Sequence, residues 1–235
     1  MIRIIHVYPD LLNLYGGTAD IQVLSAYLRA VGEEVSILPL SEDTIKQADL
    51  IYFGAGTENK MIVAAKKLAT LRDALLAYHD AGKQLVFVGS SAALPMQTIV
   101  GLDGESVAGL GLLQGQAQVH DKRKYTELLA EHPFGSHMVV GAYNSSLTIH
   151  TQEPAFLHVL FDSDKKVGDL EGVYKNGLLA TQLAAPLLVR NPALLDYYAD
   201  TLSGKELPDP QESWYRHAWM GYVTAMDILK NEMHK

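Results

Sequence analysis

The stretch Leu85-Val86-Phe87-Val88-Gly89-Ser90-Ser91 decides the fold class of this chain. Its first four residues are apolar without alternation, which is typical of a parallel strand buried on both faces. Small residues follow directly after it. In an open α/β sheet, ligands bind at the carboxyl ends of such strands. The stretch therefore predicts a central strand followed by a turn that a ligand can approach.

Similar strand signals precede this stretch, and helical patterns separate them. One helix is predicted before Gly32 and a long one over 58–81, each ended by a glycine in the position typical of a helix C-terminus. Strands alternating with helices indicate a doubly wound α/β sheet that is mainly parallel. The upstream strands are predicted at residues 3–8, 35–38 and 50–54.

The second half of the chain favours antiparallel strands. Glu171 to Thr181 is predicted to form a hairpin around Asn176-Gly177, because both residues tolerate the positive φ of a type I′ turn. No linker or repeat interrupts the pattern, so we expect residues 1–235 to form one domain. The other strands of this half are predicted at 110–120, 137–151 and 156–161.

Composition excludes several classes of function. The 235 residues contain 19 basic and 27 acidic side chains, a net charge of −8 that argues against a nucleic-acid-binding surface. The chain contains no cysteine, which excludes disulfides, thiolate metal sites and a cysteine nucleophile. No histidine pair has metal-ligand spacing, so we expect no metal. The turn Gly54-Ala55-Gly56 lacks the third glycine and the following acidic residue of a dinucleotide-binding motif, so we expect no cofactor.

The chain has no apolar run approaching the ~18 residues of a membrane span and no signal-peptide pattern at its start. We therefore expect a cytoplasmic protein without membrane insertion. The short basic run 120–124 lacks interleaved aromatic residues and is interpreted as a solvated loop.

Two turns of small residues are candidate ligand-binding loops. Gly54-Ala55-Gly56 follows the third predicted strand, and Ser90-Ser91 follows the fourth. Such turns can present backbone N–H groups to an oxyanion or a small anion. The simpler interpretation is that the glycines form the turn, while Ser90 or Ser91 caps a helix that has Pro95 in its first turn.

Several short motifs together resemble the glutamine amidotransferases of the cobyric acid synthase type. Within them, the chain is most similar to the glutaminase subunits of lipid II isoglutaminyl synthases. This resemblance implies the class I glutaminase fold. The motifs are Tyr8-Pro9-Asp10-Leu11-Leu12-Asn13-Leu14-Tyr15-Gly16, Phe53-Gly54-Ala55-Gly56, Gly109-Leu110-Gly111-Leu112-Leu113, Glu171-Gly172-Val173-Tyr174 and Pro186-Leu187-Leu188-Val189-Arg190-Asn191-Pro192.

The chain departs from this family at the positions that carry its chemistry. By the resemblance, Gly89 stands where the nucleophilic cysteine is expected, and Ala184 stands where the catalytic histidine is expected. The Asp-Arg-Gly-Asn that follows Tyr15-Gly16 in the family is here Gly17-Thr18-Ala19-Asp20. An arginine for the glutamine carboxylate is expected near residues 137–138 and is not found there.

Three functions remain open, and the sequence does not decide whether the chain is an enzyme. The leading hypothesis is a degenerate amidotransferase subunit that binds a Mur-ligase-like amidoligase in cell-wall precursor amidation, as the resemblance implies. The first alternative is an active amide hydrolase or transferase that uses Ser90 with a relocated base such as His150 or His158. The second is a module that binds glutamine or a small anion at Gly54–Gly56 and Ser90–Ser91 without catalysis.

Overall fold

A computed structural model describes residues 1–165 and 167–235. The strands are β1 (Ile2–His6), β2 (Val35–Leu38), β3 (Leu50–Phe53), β4 (Gln84–Val88), β5 (Thr98–Val100), β6 (Ser106–Ala108), β7 (Gln116–Glu131), β8 (Val139–His150), β9 (Leu157–Asp162), β10 (Leu170–Glu171), β11 (Val173–Lys175) and β12 (Leu178–Thr181). The helices are α1 (Thr18–Ala30), α2 (Glu42–Gln47), α3 (Glu58–Leu68), α4 (Arg72–Asp80), α5 (Leu187–Arg190), α6 (Pro192–Ser203) and α7 (Ser213–Met233).

Two six-stranded sheets form the frame, which confirms the predicted α/β class. The first has the order β11-β12-β4-β3-β1-β2 and is parallel except at the β11–β12 hairpin. In the second, β5 is paired with both β6 and β7, β9 with β7 and β10, and β8 with β7. All of these pairs are antiparallel except β5–β7.

The apolar stretch at 85–88 is the centre of the first sheet, as predicted. Leu85 and Phe87 pack on one face in a core shared with α3 and α4, while Val86 and Val88 pack on the other with α1 and α6. Burial on both faces explains why polar residues do not alternate along this strand.

The hairpin around Asn176-Gly177 is also confirmed. Both residues have positive φ, at 48° and 76°, as a type I′ turn requires. This turn directs β12 back alongside β4, and β12 leads into the segment that contains Ala184.

The single helix predicted over 58–81 is wrong in one respect. The chain breaks it into α3 and α4 with a 3-10 turn at Ala69–Leu71 between them. Leu71 lies at φ −106° and ψ 3°, outside the α region, so the helix cannot continue through it. Apolar residues recur on both sides of the break, and for this reason the pattern did not reveal it.

Candidate functional site

The turn after β4 is a buried elbow. Its first residue, Gly89, has a φ of +65°, a left-handed conformation that favours glycine. Gly89 also begins a 3-10 segment, Gly89–Ala93, and all five residues of this segment are buried. The elbow lies at the carboxyl edge of the parallel sheet, where the sequence analysis placed the site.

The space beside Gly89 is filled by Ala55. A Cβ atom built on Gly89 would lie 2.7 Å from the Cβ atom of Ala55, closer than real Cβ contacts come. A side chain at position 89 therefore requires that the Ala55 loop move or that position 55 lose its methyl group. Glycine at 89 satisfies both the backbone conformation and this packing.

The segment that contains Ala184 lies beside the elbow. Since Thr181 of β12 pairs with Val88 of β4, the two strands end next to each other. The carbonyl oxygen of Leu183 is 3.7 Å from the Cβ position of Gly89. The structure thus places the chain around 184 near position 89, the neighbourhood that a nucleophile and its base require.

The side chains of Ser90 and Ser91 hydrogen-bond the elbow to the loop Gly54–Gly56. The Ser90 hydroxyl accepts a hydrogen bond from the Gly56 N–H at 2.9 Å and donates one to the Gly56 carbonyl at 2.8 Å. The Ser91 hydroxyl donates to the Gly54 carbonyl. Neither serine caps a helix, so that interpretation was wrong.

No α-helix follows the elbow in the described residues, and the backbone carbonyls of Leu94, Pro95 and Met96 accept hydrogen bonds from another segment. Leu110 N–H donates to the Leu94 carbonyl, Gly111 N–H to the Met96 carbonyl and Leu113 N–H to the Pro95 carbonyl. The Gly109–Leu113 motif therefore braces the chain after the elbow. Residues 110–113 belong to this brace, and the strand predicted from 110 begins only at Gln116.

The glycines at 54 and 56 allow a close approach of protein backbone. A Cβ on Gly56 would lie 2.9 Å from the Leu11 carbonyl oxygen, and one on Gly54 would overlap the Leu12 carbonyl oxygen. The Leu14 N–H also donates to the Ala55 carbonyl at 2.7 Å. The loop Gly54–Gly56 is thus enclosed by the chain's own backbone on one side and by the serines on the other.

Asp20 fixes the segment that follows Ala184. Its fully buried carboxylate accepts hydrogen bonds from the Tyr52 hydroxyl and from the backbone N–H groups of Leu187, Leu188 and Val189. Burial raises the pKa of Asp20 to about 6, although these four donors favour the charged form. Asp20, in the segment 17–20 that departs from the family motif, is therefore a structural hydrogen-bond acceptor in this chain.

Glu171 fixes the same segment from the other side. Its buried carboxylate accepts from the Thr181 hydroxyl and the Gln182 N–H, each at 2.7 Å. Burial raises the pKa of Glu171 to about 7, since both donors are neutral and no cation is bonded to this carboxylate among the hydrogen bonds of the described residues. Together with Asp20, this carboxylate positions residues 181–189.

Arg123 lies beside the loop Gly54–Gly56 and was not predicted from the sequence to do so. The run 120–124 is part of β7 rather than a solvated loop, although its side chains are exposed there. Arg123 forms a 2.6 Å ion pair with Glu58, the first residue of the helix after the loop Gly54–Gly56. A basic run in a sequence carries no signal for such a partner, which lies 65 residues away.

Ser90 is not joined to a base. Among residues 1–165 and 167–235 its hydroxyl is hydrogen-bonded to Gly56 alone, and no histidine there donates to it or accepts from it. His150 and His158 lie on β8 and β9 with exposed side chains. Within residues 1–165 and 167–235, no cluster of three metal-ligating side chains is present. No helix in the same residues has the length and apolar character to cross a membrane.

Comparisons with known proteins agree with this architecture. The chain is 27% identical over 206 residues to the lipid II isoglutaminyl synthase (glutamine-hydrolyzing) subunit GatD of Staphylococcus aureus (strain N315), which covers 83% of this chain and 82% of that protein. A crystal structure of a glutamine amidotransferase superposes with a TM-score of 0.56 at 18% identity, over 87% of this chain and 100% of that one. This second likeness bears on the fold alone.

A family model, the CobB/CobQ-like glutamine amidotransferase domain, matches residues 3–182. This match spans the first sheet up to the end of β12, the elbow and the loop Gly54–Gly56. The resemblance carried by the short motifs is therefore confirmed, and the chain belongs to the CobB/CobQ-like glutamine amidotransferase family.

Proposed function

We propose that this chain is a glutamine amidotransferase-like subunit without glutaminase activity, and that it binds and scaffolds a Mur-ligase-like amidoligase in cell-wall precursor amidation. The contact between Gly89 and Ala55 carries the proposal. The position expected for the nucleophile has no side chain, and the methyl group of Ala55 occupies the space where one would begin.

The environment of Ser90 argues against its use as a substitute nucleophile. Its hydroxyl proton is donated to a carbonyl oxygen, and its oxygen accepts from the Gly56 N–H. A serine nucleophile needs a base that takes that proton and a free oxyanion donor beside it. Here the candidate donor is bound to the serine itself.

The same contacts weigh against a simple anion-binding module at these loops. An anion at the Gly56 N–H would have to displace the Ser90 hydroxyl from a buried, fully formed pair of hydrogen bonds. The retained elbow, brace and buried carboxylates instead support a scaffold that keeps the family shape. The relative is called a subunit of a synthase, which supports a protein partner for this chain.

Two assays on the purified chain test the proposal. The first measures ammonia release from L-glutamine, alone and with the Mur-ligase-like protein of the same organism; we expect none above background. The second measures co-purification of that ligase with this chain, which we expect. Ammonia release by the chain overturns the loss of activity, and failure to bind the ligase overturns the scaffolding role.

A further inference from the structure

The last helix, α7, packs on the second sheet through one face only. Tyr222 and Leu229 are buried in a cluster that includes Leu129 of β7. The Tyr222 hydroxyl also donates to the Met138 carbonyl at 2.7 Å. These contacts fix the helix on the fold and leave the rest of its surface to solvent. The helix lies beyond residues 3–182, the part of the chain that matches the family model.

One exposed stripe of α7 has charges of opposite sign at its ends and apolar residues between them. This α7 stripe consists of Arg216, Met220, Val223 and Asp227, whose spacing of four, three and four residues places them on one face of the helix. Met220 is 60% exposed and Val223 is 43% exposed. Arg216 and Asp227 are exposed as well. In the part of the chain that the structure describes, neither of these two forms an ion pair or a side-chain hydrogen bond.

The α7 stripe is complementary to its own reverse. Arg216 and Asp227 are equally far from the midpoint of the stripe, between positions 221 and 222, and so are Met220 and Val223. In a twofold-symmetric interface, residue i of one copy contacts residue j of the other, and j contacts i. In an antiparallel pair of these helices, Arg216 of one copy therefore faces Asp227 of the other, and Met220 faces Val223.

We propose that the α7 stripe binds a second copy of this chain, so that two α7 helices pair antiparallel about a twofold axis. Two ion pairs then flank a centre of four apolar side chains, and both Met and Arg are enriched at protein interfaces. A parallel pair would place Arg216 opposite Arg216 and Asp227 opposite Asp227, which like-charge repulsion disfavours. The charges thus specify the orientation of the partner helix as well as its identity.

The contact made by one pair of helices is small beside the ~800 Å² per partner of a standard interface, so the dimer is expected to dissociate on dilution. Salt is expected to weaken it, because the ion pairs at its ends are near solvent. The inference concerns self-association of this chain and stands apart from ligase binding and from glutamine hydrolysis.

The test is sedimentation velocity in low salt from about 2 to about 200 μM protein, a range that spans the dissociation of a weak dimer. We expect the wild-type mass to rise from monomer towards dimer with concentration. Arg216→Glu and Asp227→Arg are each expected to weaken the dimer about tenfold or more, since each places like charges across both ends of the interface. An equimolar mixture of the two single variants is expected to dimerise like the wild type, because one copy then carries two negative ends and the other two positive ends.

Lys66→Glu is the matched control, because Lys66 is an exposed cation on another helix, α3, and should leave self-association unchanged. If circular dichroism shows that a charge-reversed variant does not fold, Arg216→Gln and Asp227→Asn replace the pair, and a smaller weakening is expected. A wild type that stays monomeric throughout overturns the proposal, as does a dimer that the single variants leave unchanged or that their mixture does not restore. A monomeric wild type whose binding to the ligase is lost in Arg216→Glu would show that the ligase covers the stripe instead.

Discussion

The Cβ atom of Ala55 lies 2.7 Å from the place where a Cβ atom on Gly89 would stand. The two positions are therefore coupled, since a side chain at 89 and a methyl group at 55 exclude each other. Gly89 begins the buried elbow at φ +65°, and Ala55 is the middle residue of the loop that the elbow contacts. A substitution at either position has to be judged together with the other.

Gly89→Ala is expected to destabilise the fold by about 2–4 kcal/mol, because it adds steric overlap to the cost of a left-handed alanine. Gly204→Ala is the control, since Gly204 has a φ of +70° with nothing within 4 Å of its Cβ position, and should lose about 1 kcal/mol. Adding Ala55→Gly to Gly89→Ala is expected to recover about 1 kcal/mol or more in a double-mutant cycle of urea unfolding. Strict additivity would show that the two residues are not coupled.

Ser90→Ala is expected to cost about 2–3 kcal/mol, because it leaves the Gly56 N–H and carbonyl unpaired in a buried place. Ser136→Ala, in an exposed turn, should stay within about 0.5 kcal/mol of the wild type. Chemical denaturation of both variants measures the difference. Covalent labelling of Ser90 by a fluorophosphonate would instead support the serine-hydrolase alternative, and we expect none.

Glu171→Gln is expected to change the pH dependence of stability. Burial raises the pKa of Glu171 from 4.5 to about 7, so between these values the folded chain holds a proton that the unfolded chain releases. Raising the pH through this window therefore favours unfolding, by up to about 3 kcal/mol for this group.

The measurement is the unfolding free energy at pH 5 and at pH 7.5. The wild type should lose stability between them, and Glu171→Gln should lose less, because glutamine does not titrate. Glu105→Gln is the control, since it makes the same substitution at an exposed position. An identical slope in the wild type and Glu171→Gln would show that this carboxylate is not held protonated.

The expected chemistry can be rebuilt only if Ala55 is changed as well. Gly89→Cys with Ala184→His adds the nucleophile and base that the family resemblance implies, but the cysteine Cβ would overlap Ala55. We expect weak ammonia release from L-glutamine when Ala55→Gly accompanies this pair, and a lower rate or none without it. If the double variant Gly89→Cys with Ala184→His is as active and as stable as the triple variant with Ala55→Gly, the steric role of Ala55 is contradicted.

Local patterns were enough to predict much of the fold. The apolar stretch 85–88 predicted the central strand, because a strand that is buried on both faces consists of consecutive apolar residues. Asn176-Gly177 predicted the hairpin because few residue pairs adopt two consecutive positive φ angles. The break between α3 and α4 was not predictable in this way, since the apolar periodicity of the sequence continues through it.

The candidate site depended on contacts between distant segments, and these were not predictable. The hydrogen bonds of Ser90 to Gly56 join residues 34 positions apart, so the serines gave only a local signal for a helix cap. The contact of Ala55 with Gly89 and the ion pair of Arg123 with Glu58 are equally non-local. The family resemblance pointed to 89 and 184 as the positions expected for the nucleophile and its base. The contact with Ala55 that excludes a side chain at 89 could be seen only in the packing of the folded chain.

Ammonia release from L-glutamine by the purified wild-type chain tests the central claim most directly. The chain should be assayed alone and with the proposed Mur-ligase-like partner, beside the glutamine-hydrolyzing relative GatD as the active reference. We predict a rate indistinguishable from that of a sample without protein, while the reference releases ammonia. Release by this chain that rises in proportion to its concentration, alone or with the ligase, would contradict the claim.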